Sequence, residues 1–278
     1  MLTLLAARWG GVKQRLHDID AVLFHEAFKD AAGRLIAHED WSRAAPFGRP
    51  QDYRWLAQRT PLIPIAHALG ETTGDANSLA ALRRSVAAGF AFFEVDLWLE
   101  GDQVRCFHGP QAPPPMTTGG CTFDALMESL PRDAWLVLDI KTDFLATGAR
   151  IVESLRASGR ADHVIFQLYF PEQTAIFDRW QATLPLAGPI VTIYNARRSA
   201  ATIADQSVRV GARAFTLPVS RLPALGHRPD VLAVFVHPID DCASLAEARV
   251  FGVRGVYMEN NLGCSGMPSI SRNLFAPG

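Results

Sequence analysis

From residue 61 onward the sequence repeats one unit: a short apolar run rich in β-branched residues, a loop, and an amphipathic stretch. The runs that fit strands are Leu62–Ala66, Phe90–Leu97, Trp135–Ile140, His163–Tyr169, Pro189–Tyr194, Ala214–Pro218, Val231–Val236 and Gly255–Met258. Stretches that fit helices lie between most of them: Ser78–Ala88, Thr122–Leu130, Ala146–Ala157, Pro171–Gln181, Ser199–Val210 and Ser244–Phe251. Strands that alternate with helices pair in parallel through crossovers, and eight of them close into a barrel. The sequence therefore predicts a (β/α)8 TIM barrel, and the lack of a GxGxxG turn after the first strand disfavours a doubly wound sheet.

Residues 1–60 do not follow this repeat. They contain two helical pieces, Ala21–Ala32 and Pro50–Arg59. We predict that they form an N-terminal helical extension that caps the floor of the barrel, and that residues 61–278 form the barrel domain. A chain of 278 residues has room for one such domain, since TIM barrels are typically about 250 residues long.

Composition excludes several classes of function. The net charge is −1 and no basic run is present, so we expect no nucleic-acid partner. No stretch approaches the ~18 uncharged apolar residues of a transmembrane helix, and no signal peptide is evident, which points to the cytoplasm. The cysteines show no CxxC pair, and we favour free thiols over disulfides. The sequence does not indicate an oligomeric state.

Three carboxylates fall at the ends of neighbouring predicted strands. Glu94 and Asp96 are two residues apart, so their side chains point to the same side of one strand, and Asp139 ends the next strand. Active-site groups of TIM barrels lie at the C-terminal ends of the strands. Buried like charges are costly unless a cation compensates them, and carboxylate oxygens suit Mg²⁺ or Ca²⁺. We predict that Glu94, Asp96 and Asp139 bind one divalent cation; the alternative is a structural cluster balanced by Lys141 or an arginine.

Two histidines and a lysine fall near the same strand ends. His67 follows the first strand, and His108 follows the segment Gln103–Phe107. Phosphoryl chemistry needs a base and an acid, and histidine titrates near neutral pH. We predict that His67 and His108 are the catalytic pair, with Lys141 contacting the phosphate or the acids.

The run IAHALGETTGDANSLAALRRSVAAGFAFFEVDLWLEGDQVRCFHG and the later LVLDIKTD resemble the glycerophosphodiester phosphodiesterase and phosphatidylinositol phospholipase C-like superfamily. The resemblance covers roughly residues 62–262. It places the family's opening histidine at His67, its Asn-Ser/Thr-Leu helix start at Asn77-Ser78-Leu79, its Glu-x-Asp pair at Glu94 and Asp96, its second histidine at His108 and its acid-x-Lys strand at Asp139-Ile140-Lys141. Spider-venom sphingomyelinase D, a relative in that superfamily, also has an aspartate at the position of Asp139. The resemblance implies a divergent metal-dependent phosphodiesterase.

Two departures from the family's motifs concern the phosphate. The usual His-Arg-Gly is His67-Ala68-Leu69, and the usual Pro-Glu-Asn is Asp75-Ala76-Asn77. The chain therefore lacks a phosphate-binding arginine and a glutamate at these points, which implies another basic group or another substrate. The arginines that follow later strands are the candidates, against the alternative of exposed helix starts: Arg197, Arg198 and Arg221.

The remaining strand ends would line the mouth and select the substrate. The predicted substrate-binding residues are Gln167, Tyr169, Tyr194 and His237, and Thr216 and Glu259 occupy equivalent positions. The loop Gly109–Gly120 after His108 is interpreted as an ordered loop or as a lid.

The function predicted from these residues is metal-dependent cleavage of a glycerophosphodiester- or phospholipid-like phosphodiester, by hydrolysis or by formation of a cyclic phosphate. The partner is a small phosphodiester substrate. Two alternatives stay open. One is a phosphoryl transferase that makes a sugar phosphodiester, and the other is a non-catalytic barrel that binds a phosphorylated ligand.

Overall fold

The computed structural model describes residue 23, residues 40–58, 60–70, 74–109, 120–193, 198–226 and 230–259, and residue 264. Its sheet contains the strands β1 (Ile63–Ala66), β2 (Phe92–Glu100), β3 (Gln103–Cys106), β4 (Trp135–Ile140), β5 (Val164–Leu168), β6 (Ile190–Thr192), β7 (Ala214–Pro218), β8 (Ala233–His237) and β9 (Gly255–Met258). All pairings are parallel except β2 with β3, and β1 pairs with both β2 and β9. The eight parallel strands therefore close into a barrel, and the predicted TIM barrel is confirmed.

Helices cover the outside of the barrel: α1 (Leu79–Ala87), α2 (Phe123–Ser129), α3 (Phe144–Ser158), α4 (Gln173–Gln181), α5 (Ala200–Arg209) and α6 (Cys242–Val250). Most begin after a residue whose side-chain oxygen accepts a backbone N–H of the first turn. Ser78 accepts from Ala81, and Ser199 accepts from Thr202. These capping residues explain why helix starts were predicted to within about two residues.

The inside of the barrel is apolar at its floor and polar at its mouth. The buried floor side chains include Ile63, Phe92, Trp135, Ile165, Ile190 and Phe235. Trp55 is fully buried among them, and its ring lies 5.5 Å from that of Phe235. Side chains alternate along a strand, so the next inward position after Phe92 is Glu94, which lines the mouth.

Two local predictions differ from the structure. The segment Pro50–Arg59 was predicted as a helix, but its described part forms only a short 3-10 turn, Arg54–Leu56. Trp55 Nε1 donates to the Gly188 carbonyl at 3.1 Å, and Gly188 N–H donates to the Asp52 carbonyl at 2.6 Å. These contacts with the barrel floor replace the hydrogen bonds of a helix. A domain boundary at residue 60 remains a prediction.

The strand β3 was not predicted. It forms an antiparallel hairpin with β2 after a turn at Gly101, with Leu97 opposite Cys106 and Glu100 opposite Gln103. Phe107 N–H then donates to the Asp96 carbonyl at 2.8 Å, which brings the chain back to the mouth just before His108.

The expectation of free thiols is wrong. Cys106 pairs with Cys121, and Cys242 pairs with Cys264, with Cα atoms 5.1 Å and 5.6 Å apart. Both separations suit a disulfide. Because disulfides persist mainly in oxidising compartments, the pairing removes one reason to expect a cytoplasmic protein.

None of the helices in the described parts of the chain has the length and apolar character that crossing a membrane requires.

Candidate active site

A cavity of about 740 Å³ opens at the C-terminal ends of the barrel strands. It is lined by the six residues predicted to act on the phosphate: His67, Glu94, Asp96, His108, Asp139 and Lys141. It is also lined by predicted substrate-side residues: Gln167, Tyr169, Thr216, His237 and Glu259. Tyr194 lies outside the described residues. A cavity of about 850 Å³ outside the barrel, between β3, α2 and α3, has arginine and acidic side chains in its lining but no histidine.

The three carboxylates lie together because of the strand register. Asp96 of β2 is directly opposite Asp139 of β4, and Glu94 is two residues below Asp96 on the same side. One oxygen of each carboxylate lies within 4.8 Å of an oxygen of the other two. Glu94 is 2% exposed, Asp96 3% and Asp139 7%. Three acids at this depth need compensation from a cation or from protons.

Two of the acids each use one carboxylate oxygen for contacts with the protein. Glu94 Oε2 accepts the Ala68 N–H at 2.8 Å. Asp139 Oδ2 accepts Lys141 Nζ at 2.6 Å and the Tyr169 hydroxyl at 2.7 Å. Asp139 Oδ1 is buried without a hydrogen-bond partner. A buried, unpartnered carboxylate oxygen beside two further acids fits a divalent cation that prefers oxygen ligands.

The charged forms of Glu94 and Asp139 are disfavoured by their surroundings. Burial, and then the neighbouring Asp96 and Asp139, raise the pKa of Glu94 well above its usual value. Burial also raises the pKa of Asp139, although Lys141 opposes this shift. A bound cation would lower both pKa values, because a nearby positive charge stabilises the ionised carboxylates.

Lys141 lies between two of the acids. Its Nζ is 2.9 Å from Asp96 Oδ1 and 2.6 Å from Asp139 Oδ2. Burial alone would lower the pKa of Lys141, but the carboxylates of Asp139 and Asp96 outweigh burial and raise it. Lys141 is therefore charged at neutral pH and compensates part of the acidic cluster.

His67 lies beside the cluster at the end of β1. Its Nε2 is 3.9 Å from Glu94 Oε2, and its Nδ1 is 3.9 Å from Glu259 Oε1. The His67 ring meets the His237 ring edge-on, with centroids 4.3 Å apart. Burial is the largest cause of a lowered pKa at His67, so the imidazole is neutral and able to accept a proton at pH 7.

His108 reaches the same cavity from the β2–β3 hairpin. Its Nδ1 lies 3.1 Å from the Gly109 carbonyl oxygen. Gly109 has φ +67°, and a Cβ there would lie 2.1 Å from the Trp98 ring. A side chain at this position would clash with the Trp98 ring, so the turn that follows His108 requires glycine.

The opposite side of the mouth has mostly uncharged groups. Thr192 Oγ1 donates to Gln167 Oε1 at 2.8 Å, and the hydroxyls of Thr216 and Tyr257 lie 3.5 Å apart. His237 is also uncharged at neutral pH, because burial and then His67 lower its pKa to about 3. Thr192 and Tyr257 were not singled out from the sequence, although the alternation along their strands would have placed both inside the barrel.

Lys141 is the one lysine or arginine among the described residues that line the cavity. Arg221 is buried, and it donates to the carbonyl oxygens of Ile193 and Arg198. Arg198 lies 3.9 Å from Asp40. Neither arginine lines the cavity, so neither replaces the arginine that the His67-Ala68-Leu69 motif lacks. Arg197, the third candidate, lies outside the described residues, as does most of the loop Gly109–Gly120.

Comparisons with known proteins agree with the fold. No protein-family model and no curated protein sequence matches the chain. A glycerophosphodiester phosphodiesterase from Thermotoga maritima has a similar structure, with a TM-score of 0.57 and 15% identity over 71% of this chain and 94% of its own. One from Parabacteroides distasonis has a TM-score of 0.59 and 12% identity over 72% of this chain and 93% of its own.

A phosphodiesterase from Oleispira antarctica, solved in complex with the product sn-glycerol-3-phosphate, has a TM-score of 0.56 and 16% identity. The match covers 70% of this chain and 92% of that one. The likeness to these three phosphodiesterase structures shows a shared TIM-barrel fold.

Proposed function

We propose that this chain is a divergent metal-dependent phosphodiesterase that cleaves a small glycerophosphodiester- or phospholipid-like substrate in the barrel mouth. The observation that carries the proposal is the buried group of Glu94, Asp96 and Asp139 in one cavity with His67 and His108. The fold of the similar structures supports it. Those proteins are phosphodiesterases, and one of them was solved in complex with the product sn-glycerol-3-phosphate.

The three acids would hold one Mg²⁺ or Ca²⁺, because both cations prefer carboxylate oxygens. When bound, such a cation neutralises charge on the phosphate and acts as a Lewis acid. Lys141 Nζ donates to Asp96 Oδ1 and to Asp139 Oδ2. A phosphate bound beside these oxygens would therefore lie within reach of Lys141.

His67 would act as the general base. Its imidazole is neutral at pH 7 because burial lowers its pKa, so it can take a proton from the attacking hydroxyl. The attacking group is either water, which gives hydrolysis, or a hydroxyl of the substrate, which gives a cyclic phosphate. His108, reaching the cavity from the β2–β3 hairpin, would protonate the oxygen of the leaving alcohol.

Gln167, Tyr169 and His237 would contact the alcohol portions of the substrate. Tyr169 also donates to Asp139 Oδ2, so it links the substrate side to the acidic cluster. Burial and then Asp139 raise the pKa of Tyr169 well above its usual value, which keeps its hydroxyl a donor. Tyr194 remains a predicted substrate-binding residue from the sequence alone.

The test is turnover of bis(p-nitrophenyl) phosphate by the purified protein with EDTA, Mg²⁺, Ca²⁺ or Mn²⁺. We expect activity that a divalent cation restores after EDTA, and that is lost in His67→Ala and Glu94→Ala. Product analysis of a glycerophosphodiester by phosphorus NMR then separates hydrolysis, cyclic phosphate formation and transfer to an added alcohol. A protein that neither cleaves these diesters nor binds a divalent cation in calorimetry would contradict the proposal.

A further inference from the structure

We propose that Asn77 is a positioning residue that fixes the Asp96 carboxylate for the divalent cation, an inference that rests on the proposed function. Asn77 Nδ2 donates to Asp96 Oδ2 at 2.8 Å. The backbone N–H of Asp96 donates to Asn77 Oδ1 at 2.9 Å. Both ends of one side-chain amide are therefore engaged by a single residue, 19 positions further along the chain. Two contacts of this kind restrict the rotation of the Asp96 side chain as well as its position.

The local backbone explains why asparagine occupies this position. Asn77 has φ +57°, in the left-handed region, which asparagine tolerates better than most residues with a Cβ. Its backbone N–H donates to the Ala68 carbonyl at 2.8 Å, and its side chain is buried. The next residue, Ser78, caps α1 through a hydrogen bond from Ala81 N–H at 3.0 Å. The contact with Ala68 and the helix cap at Ser78 therefore fix the backbone of Asn77, from which its amide reaches Asp96.

The contact leaves the other Asp96 oxygen directed toward the cluster. Asp96 Oδ2 accepts from Asn77, while Oδ1 lies 2.9 Å from Lys141 Nζ. An ionised carboxylate oxygen has more than one acceptor site, so Oδ1 can contact both Lys141 and a cation. Without the Asn77 amide, Asp96 Oδ2 loses this donor and the carboxylate is free to rotate.

The same loop also positions a second acid. Ala68 donates its N–H to Glu94 Oε2 and its carbonyl accepts from Asn77, so the segment from β1 to α1 contacts both acids of β2. Glu94 is held by a backbone group, which a side-chain substitution leaves in place. Asp96 is held by a side chain, and the role of that side chain is open to a direct test.

The experiment compares Asn77→Gly with the matched control Ser78→Ala by calorimetric titration with Mg²⁺ and by thermal unfolding in EDTA and in Mg²⁺. Glycine adopts the left-handed backbone without strain and removes the amide. Ser78→Ala loosens the start of α1 in the same loop but leaves the contacts to Asp96. We expect Asn77→Gly to weaken Mg²⁺ binding by about 10- to 100-fold, the usual cost of losing a partner of a metal ligand. Ser78→Ala should lower the Tm in EDTA and keep the wild-type Kd.

Asn77→Ala is the second variant, because alanine also removes the amide but lacks the added backbone freedom of glycine. Equal losses of affinity in Asn77→Gly and Asn77→Ala, in folded protein, assign the effect to the amide. A wild-type Kd in either folded variant would overturn the inference and leave the proposed function standing. Absence of Mg²⁺ binding by the wild-type protein would instead overturn the proposed metal site, and this inference with it.

Discussion

The mouth of the barrel has two halves that differ in charge although they are built from equivalent strand positions. The acidic half, at the ends of β1, β2 and β4, has Glu94, Asp96 and Asp139 with Lys141 and His67. The neutral half, at the ends of β5 to β9, has Gln167, Thr192, Thr216, His237 and Tyr257. Glu259 is the charged exception in the second half, and its side chain is half exposed at the rim.

The free-energy cost of burying charged side chains falls mainly on the acidic half of the mouth. Buried acids are costly unless compensated. Here the protein supplies a backbone N–H to Glu94, the Asn77 amide to Asp96, the Tyr169 hydroxyl to Asp139, and one lysine shared by the two aspartates. The neutral half meets its polar groups with hydroxyl and amide contacts at little cost. We infer that the acidic half handles the phosphate and its cation, and that the neutral half handles the alcohols.

The largest expected effect lies in the acidic half. Glu94→Gln keeps the size of the side chain and an acceptor for the Ala68 N–H, but removes one ligand charge. We expect it to abolish metal-dependent turnover of a phosphodiester and calorimetric Mg²⁺ binding. Gln167→Ala, from the neutral half, is the matched control and should bind Mg²⁺ as the wild type does. Equal loss of Mg²⁺ binding in both variants would break the division between the halves.

His67→Ala should lower kcat by roughly 10²- to 10⁴-fold, the range typical of a lost general base. Because His67 contacts the acids only at 3.9 Å, Mg²⁺ affinity should stay near that of the wild type. Steady-state kinetics and calorimetry on the same sample check both statements. An unchanged kcat would remove His67 from the mechanism.

Because His237 is uncharged in the folded protein, we expect the free energy of unfolding to decrease at acid pH. An unfolded histidine takes up a proton near pH 6.5, whereas burial holds the folded pKa of His237 at about 3. The unfolded chain therefore binds the extra proton first, and the free energy of unfolding should fall by up to about 1.4 kcal/mol per pH unit as pH decreases below 6.5. Urea unfolding at pH 7 and pH 5 measures this loss, and His237→Phe should reduce it. Identical pH dependence in the two proteins would show that the pKa of His237 is the same in the folded and the unfolded chain.

The smallest expected effect is that of Gln167→Ala on substrate binding. Removal of a neutral hydrogen-bonding group typically costs about 1 kcal/mol, so KM should rise about fivefold while kcat changes little. Kinetics with a glycerophosphodiester measure the two constants separately. A loss confined to kcat would place Gln167 with the acidic half.

The fold and the acidic half were predictable because they depend on local patterns. Apolar runs such as Trp135–Ile140 and Ala214–Pro218 coincide with β4 and β7. The Glu-x-Asp spacing places both side chains on the same face of β2. Adjacent parallel strands end at the same edge of the barrel, so Asp139 lies next to them.

Other features depend on distances that the local sequence does not encode. The strand β3 has only four residues, two of them polar or charged, so it gives no apolar run to recognise. The pairing of Cys242 with Cys264 requires segments 22 residues apart to meet. The contact of Asn77 with Asp96 likewise arises from a turn between β1 and α1, where the sequence indicates only a helix start.

The most direct test of the two-half account is anomalous diffraction from crystals of the protein grown with Mn²⁺. We expect one manganese peak enclosed by oxygen atoms of Glu94, Asp96 and Asp139, with Lys141 displaced or sharing Asp96 Oδ1. A peak in the neutral half, or no peak at the three acids when Mn²⁺ is saturating, would contradict it.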